Sequence, residues 1–176
     1  MNESFLKIAV TYPSYLDNES QRITKLLSEG EVDIMHIRKP DWNLKEMEAI
    51  IKEIPSQYHE KFKIHDHFRL MEKYNLRGIH LNSRNKTIYF PVKNISKSVH
   101  AIKELEDIES FEYVMLSPIF DSISKTGYKS KFNLKEISSM IINKKVVALG
   151  GVTPDKFGIL KCAGFIGAAM LGYYWK

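Results

Sequence analysis

The chain has 176 residues, a formal net charge of +5 and 44% hydrophobic residues, which fits one globular domain with a sizeable core and argues against a disordered chain. Its apolar runs, such as residues 165–171, fall far short of the roughly 20 residues that cross a bilayer, and no basic stretch leading into an apolar core opens the sequence, so a cytoplasmic protein is expected. The positive excess is mostly lysine and is spread along the chain, which argues against nucleic acid and leaves anionic small molecules as partners.

A β-branched apolar run over 6–11 predicts a first strand, and Ile23, Leu26 and Leu27 have the spacing of a helix over 19–27. Gly30 stops that helix and a second strand follows over 32–38. A helix over 44–54, a strand over 62–65, a helix over 68–74 and a strand over 78–81 continue the alternation. Residues 83–93 carry no helical pattern. Beyond them come a strand over 96–100, a helix over 101–108, a strand over 113–116, a helix over 134–142 and a strand over 146–149. The last pair is a helix over 154–162, with Pro154 in its first turn and Thr153 as N-cap, and a strand over 165–170. Cys162, the single cysteine, has no disulfide partner and reads as a buried, inert thiol.

Alternating β and α units predict a parallel sheet, and eight of them a closed (β/α)8 TIM barrel formed by residues 1–176 as one domain. An open doubly wound sheet is disfavoured because no GxGxxG follows the first strand. The last outer helix is missing from the pattern. Either a partner subunit, making a homodimer, or the aromatic residues 173–175 must cover the surface it would leave.

Barrel chemistry sits at the C-terminal ends of the strands. The residues at those ends include His36, Arg38, His65, Asp66, His67, His80, Asn82, Ser98, His100, Ser117, Gly150 and Gly151, with Lys125 in the loop that follows Ser117-Pro118; five of the six histidines are among them. An imidazole exchanges protons near neutral pH, an ammonium clamps phosphate, and a diglycine turn opens backbone N–H groups to an anion. Arg38, on an otherwise apolar strand, needs an anion, either a substrate phosphate or Asp66. His80 reads as a hydrogen-bonded residue of the interior. His65 and His67, two apart on one strand face, also fit a metal-dependent hydrolase.

In these segments the sequence resembles the thiamine phosphate synthase/TenI family of TIM barrels. Met35-His36-Ile37-Arg38-Lys39 resembles the family's QxRxK segment, and Ile64-His65-Asp66 stands where the synthases carry Asn-Asp. Gly78-Ile79-His80-Leu81 is similar to GVHLG, and Ser98-Val99-His100 to the strand-5 S-x-H. Ser117-Pro118-Ile119-Phe120 with Ser124-Lys125 resembles the GPIFPTxTK loop, and Leu149-Gly150-Gly151-Val152 the IGGI turn.

The resemblance implies thiamine biosynthesis on a thiazole phosphate. Gly150, Gly151 and the Gly167 region would cup the phosphate, with His36, Arg38, His65, Asp66, Ser98 and Ser122 also on substrate. Lys125 would approach the ring or its carboxylate, and His100 would be the acid/base group. Two reactions follow from the family. The synthase joins a pyrimidine diphosphate to the thiazole phosphate, releasing pyrophosphate with Mg²⁺; TenI proteins shift a thiazole phosphate between tautomers with no metal. This chain has His36 for the glutamine, Pro40 for the lysine, His65 for the asparagine and Asn85 for the second metal-binding aspartate. Mg²⁺ prefers anionic oxygen ligands, so a TenI-like tautomerase without cofactor is expected first, a Mg²⁺-dependent synthase second, and a non-catalytic thiazole phosphate binder third.

Overall fold

The structure, a computed structural model, describes residues 4–121, 130 and 132–175. Eight parallel strands close into a barrel in chain order: β1 (Leu6–Val10), β2 (Ile34–Ile37), β3 (Phe62–Ile64), β4 (Gly78–Leu81), β5 (Ile95–Val99), β6 (Tyr113–Leu116), β7 (Val146–Leu149) and β8 (Gly167–Met170). β1 closes the ring on β8, with Leu6 opposite Gly167. The expected fold class is therefore the observed one.

The connections are less helical than the alternation suggests. Helices α1 (Glu19–Ser28), α2 (Leu44–Glu53) and α4 (Leu134–Ile141) match their predicted spans closely. Asn43 starts α2 with a full capping box, accepting from the Glu46 N–H while the Glu46 carboxylate accepts from the Asn43 N–H. The predicted helix over 68–74 shrinks to α3 (Leu70–Lys73), and 101–108 yields only a 3₁₀ turn at Ile102–Leu105. The last predicted helix divides into a 3₁₀ turn at Pro154–Lys156 and α5 (Phe157–Cys162), and Thr153 makes no side-chain cap. Residues 83–93 form no helix.

Side chains alternate between the two faces of each strand. Outward residues such as Ala9, Met35, Ile37, Phe62, Ile64, Ile79 and Val114 pack under the helices in the main core, whereas Ile8, Val10, Ile34, Tyr113, Met115, Val147 and Ala169 form a separate cluster inside the barrel. Cys162 is exposed, correcting the buried reading; Leu160 takes the inward face of α5, and two residues on, about 200° round the helix, the cysteine faces solvent. The aromatic residues after β8 pack back onto the barrel. The Trp175 indole donates to the Val10 carbonyl at 2.6 Å and lies 5.7 Å from the Arg22 guanidinium of α1, while the buried Tyr174 reaches the Glu31 carbonyl at 3.3 Å.

Candidate active site

A cavity of about 530 Å³ opens at the C-terminal ends of the strands. It brings together Arg38, His65, His80, Asn82, Ser98, His100, Ser117, Gly150 and Gly151 from the strand ends singled out in the sequence, and adds Tyr12, Arg84 and Gly172. Its described lining contains no carboxylate.

On one side stands the diglycine turn after β7. Gly150 and Gly151 have φ of 97° and 62°, and a Cβ on Gly151 would lie 2.1 Å from the Asp121 carbonyl oxygen. Only glycine is free of strain there. Neither glycine N–H finds a backbone acceptor among the described residues, so both are available to an anion. Gly167 does not belong to this turn. It is the first residue of β8, and its missing side chain makes room for Leu6, whose Cβ would be 2.6 Å from a Cβ there. It sits at the opposite end of the barrel, where close strand packing, not phosphate, requires glycine.

His100 follows β5 and is fixed through Nδ1, which lies 3.2 Å from the Ser117 carbonyl and 3.1 Å from the Ser117 hydroxyl. Donation from Nδ1–H leaves Nε2 as the basic nitrogen. Its own N–H is held by the Glu104 carboxylate at 2.9 Å, so the imidazole caps no helix; it stands at the cavity rim. Ser122 and Lys125 lie outside the described residues.

Arg38 also points at the cavity, yet it does not pair with Asp66. The Asp66 carboxylate receives the Asn85 amide at 2.6 Å and the Arg84 guanidinium at 3.3 Å. The Arg38 guanidinium has no hydrogen-bonding acceptor among the described residues; its pKa is lowered by burial and by the neighbouring Arg84 charge, while Asp66 and Asp41 oppose this. An arginine so placed awaits an anion. The same contacts test for Mg²⁺. One carboxylate, already bonded to an amide donor and a guanidinium, is not an octahedral oxygen site, so the residues present do not fit the metal.

Below Arg38 the barrel is filled with imidazoles. His36 on β2 and His80 on β4 are fully buried, and His65, just past β3, is 4% exposed at the cavity floor. His36 Nδ1 is 2.9 Å from His65 Nε2, and His36 Nε2 is 2.6 Å from the Tyr113 hydroxyl. His80 is bonded at both nitrogens, to Ser96 at 2.9 Å and Ser98 at 2.8 Å, and its ring stacks on His65 with centroids 4.3 Å apart. Burial drives all three far below the usual imidazole pKa, that of His80 to about 3, and mutual repulsion together with Lys63, Arg38, Arg77 and Arg84 adds to the effect. They are neutral at physiological pH. His36 thus lies beneath the cavity, hydrogen-bonded to His65 on its floor. His67 parts from His65: the strand ends at Ile64, His67 takes a left-handed φ of 53°, and its Nε2 bonds the Trp42 carbonyl. The same-face HxH pair does not form. One ligand atom each from His36, His65 and His80 lies within 4.8 Å of the others, so these three are the imidazoles positioned to meet a metal.

Two residues of this floor, Ser96 and Tyr113, escaped the sequence reading, although the period-2 alternation that places Ser98 inward also places Ser96 inward, and that of Met115 does the same for Tyr113. Arg84 had no such signal, since its loop carries no periodicity.

The thiamine monophosphate synthase (TMP-TENI) family model matches residues 8–172. The chain belongs to this family. A solved structure described as thiamine phosphate pyrophosphorylase from Bacteroides thetaiotaomicron is 36% identical, with a TM-score of 0.85, covering 96% of this chain and 83% of that one. The thiamine-phosphate synthase of Listeria welshimeri is 27% identical over 72% of this chain and 67% of its own length, and that of Listeria monocytogenes (strain F2365) matches over 65% of its length. A thiamine phosphate pyrophosphorylase from Pyrococcus furiosus, at 19% identity and a TM-score of 0.76, shares the fold. No helix among the described residues is long and apolar enough to cross a membrane.

Proposed function

We propose that the protein is an enzyme of thiamine biosynthesis that binds a thiazole phosphate and relocates protons on it, the tautomerase type of reaction within this family. The observation that carries this reading is the state of Asp66, held by Asn85 and Arg84 beside a cavity whose described lining has no carboxylate. Without an acidic metal site, pyrophosphate departure lacks its usual charge neutralisation, whereas proton transfer needs only positioned acids and bases. In this reading the N–H groups of Gly150 and Gly151 hold the phosphate, Arg38 supplies charge, and Lys125 and Ser122 approach from their loop. His100, oriented through Nδ1 by Ser117, moves the proton at the ring with Nε2.

Thiamine-phosphate synthase is the second reading, and the relatives' names favour it over the first: the sequence relatives and the 36% identical structure are all described by that activity. It requires Arg38 and Arg84 to hold the diphosphate in place of a metal.

Two assays on one preparation decide between them. Interconversion of thiazole phosphate tautomers, lost by about 10²-fold or more in His100→Ala with ligand affinity kept within a few fold, supports the first reading. Efficient formation of thiamine phosphate from pyrimidine diphosphate and thiazole phosphate, with no tautomer interconversion, overturns it in favour of the second. Light scattering on the same sample tests the homodimer.

A further inference from the structure

The polar side chains inside the barrel form two separate hydrogen-bonded strings, each running from the cavity into the interior. The first starts at His65 on the cavity floor and passes to His36 at 2.9 Å and from there to the Tyr113 hydroxyl at 2.6 Å. The second starts at Ser98 in the cavity lining and passes to His80 at 2.8 Å and then to Ser96 at 2.9 Å, whose hydroxyl donates to the Ile79 carbonyl at 3.3 Å. His36, Tyr113, His80 and Ser96 are no more than 1% exposed, so bulk water is no partner for them.

The inner end of each string sets its direction. A backbone carbonyl only accepts. With its one proton given to Ile79, the Ser96 hydroxyl can meet His80 Nδ1 only as an acceptor, so Nδ1 carries the proton of that ring. His80 Nε2 is then bare and takes the Ser98 proton, which leaves Ser98 with lone pairs alone to offer the cavity. In the first string His36 Nε2 is the one hydrogen-bonding partner of the Tyr113 phenol among the described residues. A buried O–H with no acceptor is costly, so the phenol donates and His36 Nε2 is bare. His36 Nδ1–H then donates to His65 Nε2, and the His65 proton is left on Nδ1. That nitrogen has no partner among the described residues and is not closed off from the cavity. Burial keeps all three rings neutral, so each has a single N–H to place.

We propose that the two strings give the cavity floor a fixed hydrogen-bonding sense, a donor at His65 and an acceptor at Ser98, and that this floor selects a ring carrying an acceptor beside an N–H donor, as the N=C–NH edge of a cyclic amidine does. The two groups are neighbours, because Ser98 is 2.8 Å from the His80 ring and that ring stacks on His65 with centroids 4.3 Å apart. One small ring can therefore meet both. His36 and Tyr113 act through His65, and His80 and Ser96 through Ser98, as positioning residues. Tautomers of a ring exchange donors for acceptors, so a floor of fixed sense also tells them apart. The ring class rests on the substrate occupying this cavity, as in the proposed function; the sense of the strings does not.

Proximity does not make a metal site of the three imidazoles. Their nitrogens lie within 4.8 Å of one another, but a ligating nitrogen directs its lone pair within the plane of its ring. The His65 and His80 planes are stacked within 25° of parallel, so their lone pairs run side by side and do not converge on one ion.

Full-length ¹⁵N-labelled protein without ligand tests the sense of the strings, since long-range ¹H–¹⁵N correlations report which nitrogen of each ring carries the proton. Expected is one fixed tautomer, Nδ1–H, for His36, His65 and His80. A proton on Nε2 of His65 or His80, or averaging between tautomers, would overturn the fixed sense, as would one equivalent of zinc in the purified protein. Ser96→Ala removes the acceptor of His80 Nδ1–H and should move that ring toward Nε2–H, freeing the Ser98 proton for the cavity; an unmoved His80 would show that Ser96 only fills space. Chemical-shift titration then tests the ring class. 2-Aminothiazole carries the acceptor and the donor, and 2-methylthiazole has the same shape without the donor. The amino compound should bind the wild type about tenfold more tightly, and the preference should vanish in Ser98→Ala and Ser96→Ala. Equal affinities in the wild type would overturn the ring class. The wild-type tautomers and the wild-type preference decide the matter even if a variant fails to fold. Both as expected, in a protein that does not interconvert thiazole phosphates, would uphold the floor and sink the proposed function instead.

Discussion

On β1, β7 and β8 the barrel interior is lined by Ile8, Val10, Val147, Leu149 and Ala169, whereas on β2 to β5 the inward side chains beyond Ile34 are His36, Lys63, His80, Ser96 and Ser98. Tyr113 on β6 joins the two, packing with the apolar cluster while its hydroxyl bonds His36. The apolar half is held by non-directional burial, which tolerates small changes of shape. In the polar half every buried donor needs its own acceptor, and loss of one partner costs the desolvation of the other. At the base of that half Lys63 bonds the Glu112 carboxylate at 2.8 Å and donates to the Asn94 carbonyl, and burial lowers its pKa to about 8. The division extends to function: the diglycine turn of the family resemblance sits above the apolar half, and the departures at His36, Pro40, His65 and Asn85 all fall on the polar half.

The largest expected difference between the halves is in acid. His36, His65 and His80 each have a native pKa below the unfolded value of 6.5, so below pH 6.5 the unfolded chain binds protons that the native chain does not, and stability falls with pH. Their contribution is complete above about pH 6.5 and lost on acidification, for His80 down to about pH 3. At one pH unit below the unfolded value the three together cost about 4 kcal/mol, a large share of the ~5–15 kcal/mol of a typical domain. Urea unfolding at pH 8 and pH 5.5 measures this. His65→Asn should reduce the pH slope by about one proton, and an unchanged slope would show that these rings are not buried neutral. In the apolar half, Ile8→Val should cost about 1 kcal/mol at both pH values.

Next in size is Gly151→Ala. A Cβ 2.1 Å from the Asp121 carbonyl, at a φ of 62°, should destabilise the fold by about 1–3 kcal/mol and displace the N–H groups offered to an anion. Calorimetry should show inorganic phosphate binding lost. Retained binding would place the anion elsewhere in the cavity.

These halves were not equally legible in the sequence. Strand order and closure follow from alternation, because eight β-branched runs separated by helical or turn segments have few other ways to pair in parallel. The diglycine turn was readable because two adjacent glycines after an apolar strand restrict the backbone to few conformations. The polar half was read residue by residue at strand ends, which found His36, His65 and His80 but could not say that they touch one another. That depends on strand stagger: His36 is opposite Lys63, and His80 opposite Ser96, and neither relation is local. Gly167 was misplaced for the same reason, since glycine at the start of a strand and glycine at its end look alike in sequence. The apolar strand around Arg38 left two anions open for it, a substrate phosphate or Asp66, and could not show that Arg84, on a loop without periodicity, is the residue that reaches Asp66.

Arg38 and Arg84 turn that last point into two smaller measurements. Arg38→Met should weaken phosphate binding by about tenfold to a hundredfold, the loss of one charge-assisted hydrogen bond of roughly 1.5–3 kcal/mol, with little change in the fold because the guanidinium has no acceptor among the described residues to leave unpaired. Unchanged affinity would remove Arg38 from the ligand site.

The smallest expected effect is that of Arg84→Ala on stability. The Arg84 side chain is 43% exposed and meets Asp66 at 3.3 Å, and pairs of this kind contribute about 0–1 kcal/mol. Asp66 would keep the Asn85 amide at 2.6 Å, so the loop stays tied to the end of β3, where the Asn82 and Asn85 amides both donate to the His65 carbonyl. What changes is the charge beside the carboxylate. With the guanidinium gone, Asp66 is free to meet a divalent ion, but it is still a single carboxylate opposite Asn85. A thermal-shift titration with Mg²⁺ should therefore show no stabilisation in the wild type and none in Arg84→Ala. Adding Asn85→Asp restores the second acidic ligand, and only that double variant should respond. A wild-type response to Mg²⁺ would show that the guanidinium does not close the site and would bring the synthase reading forward.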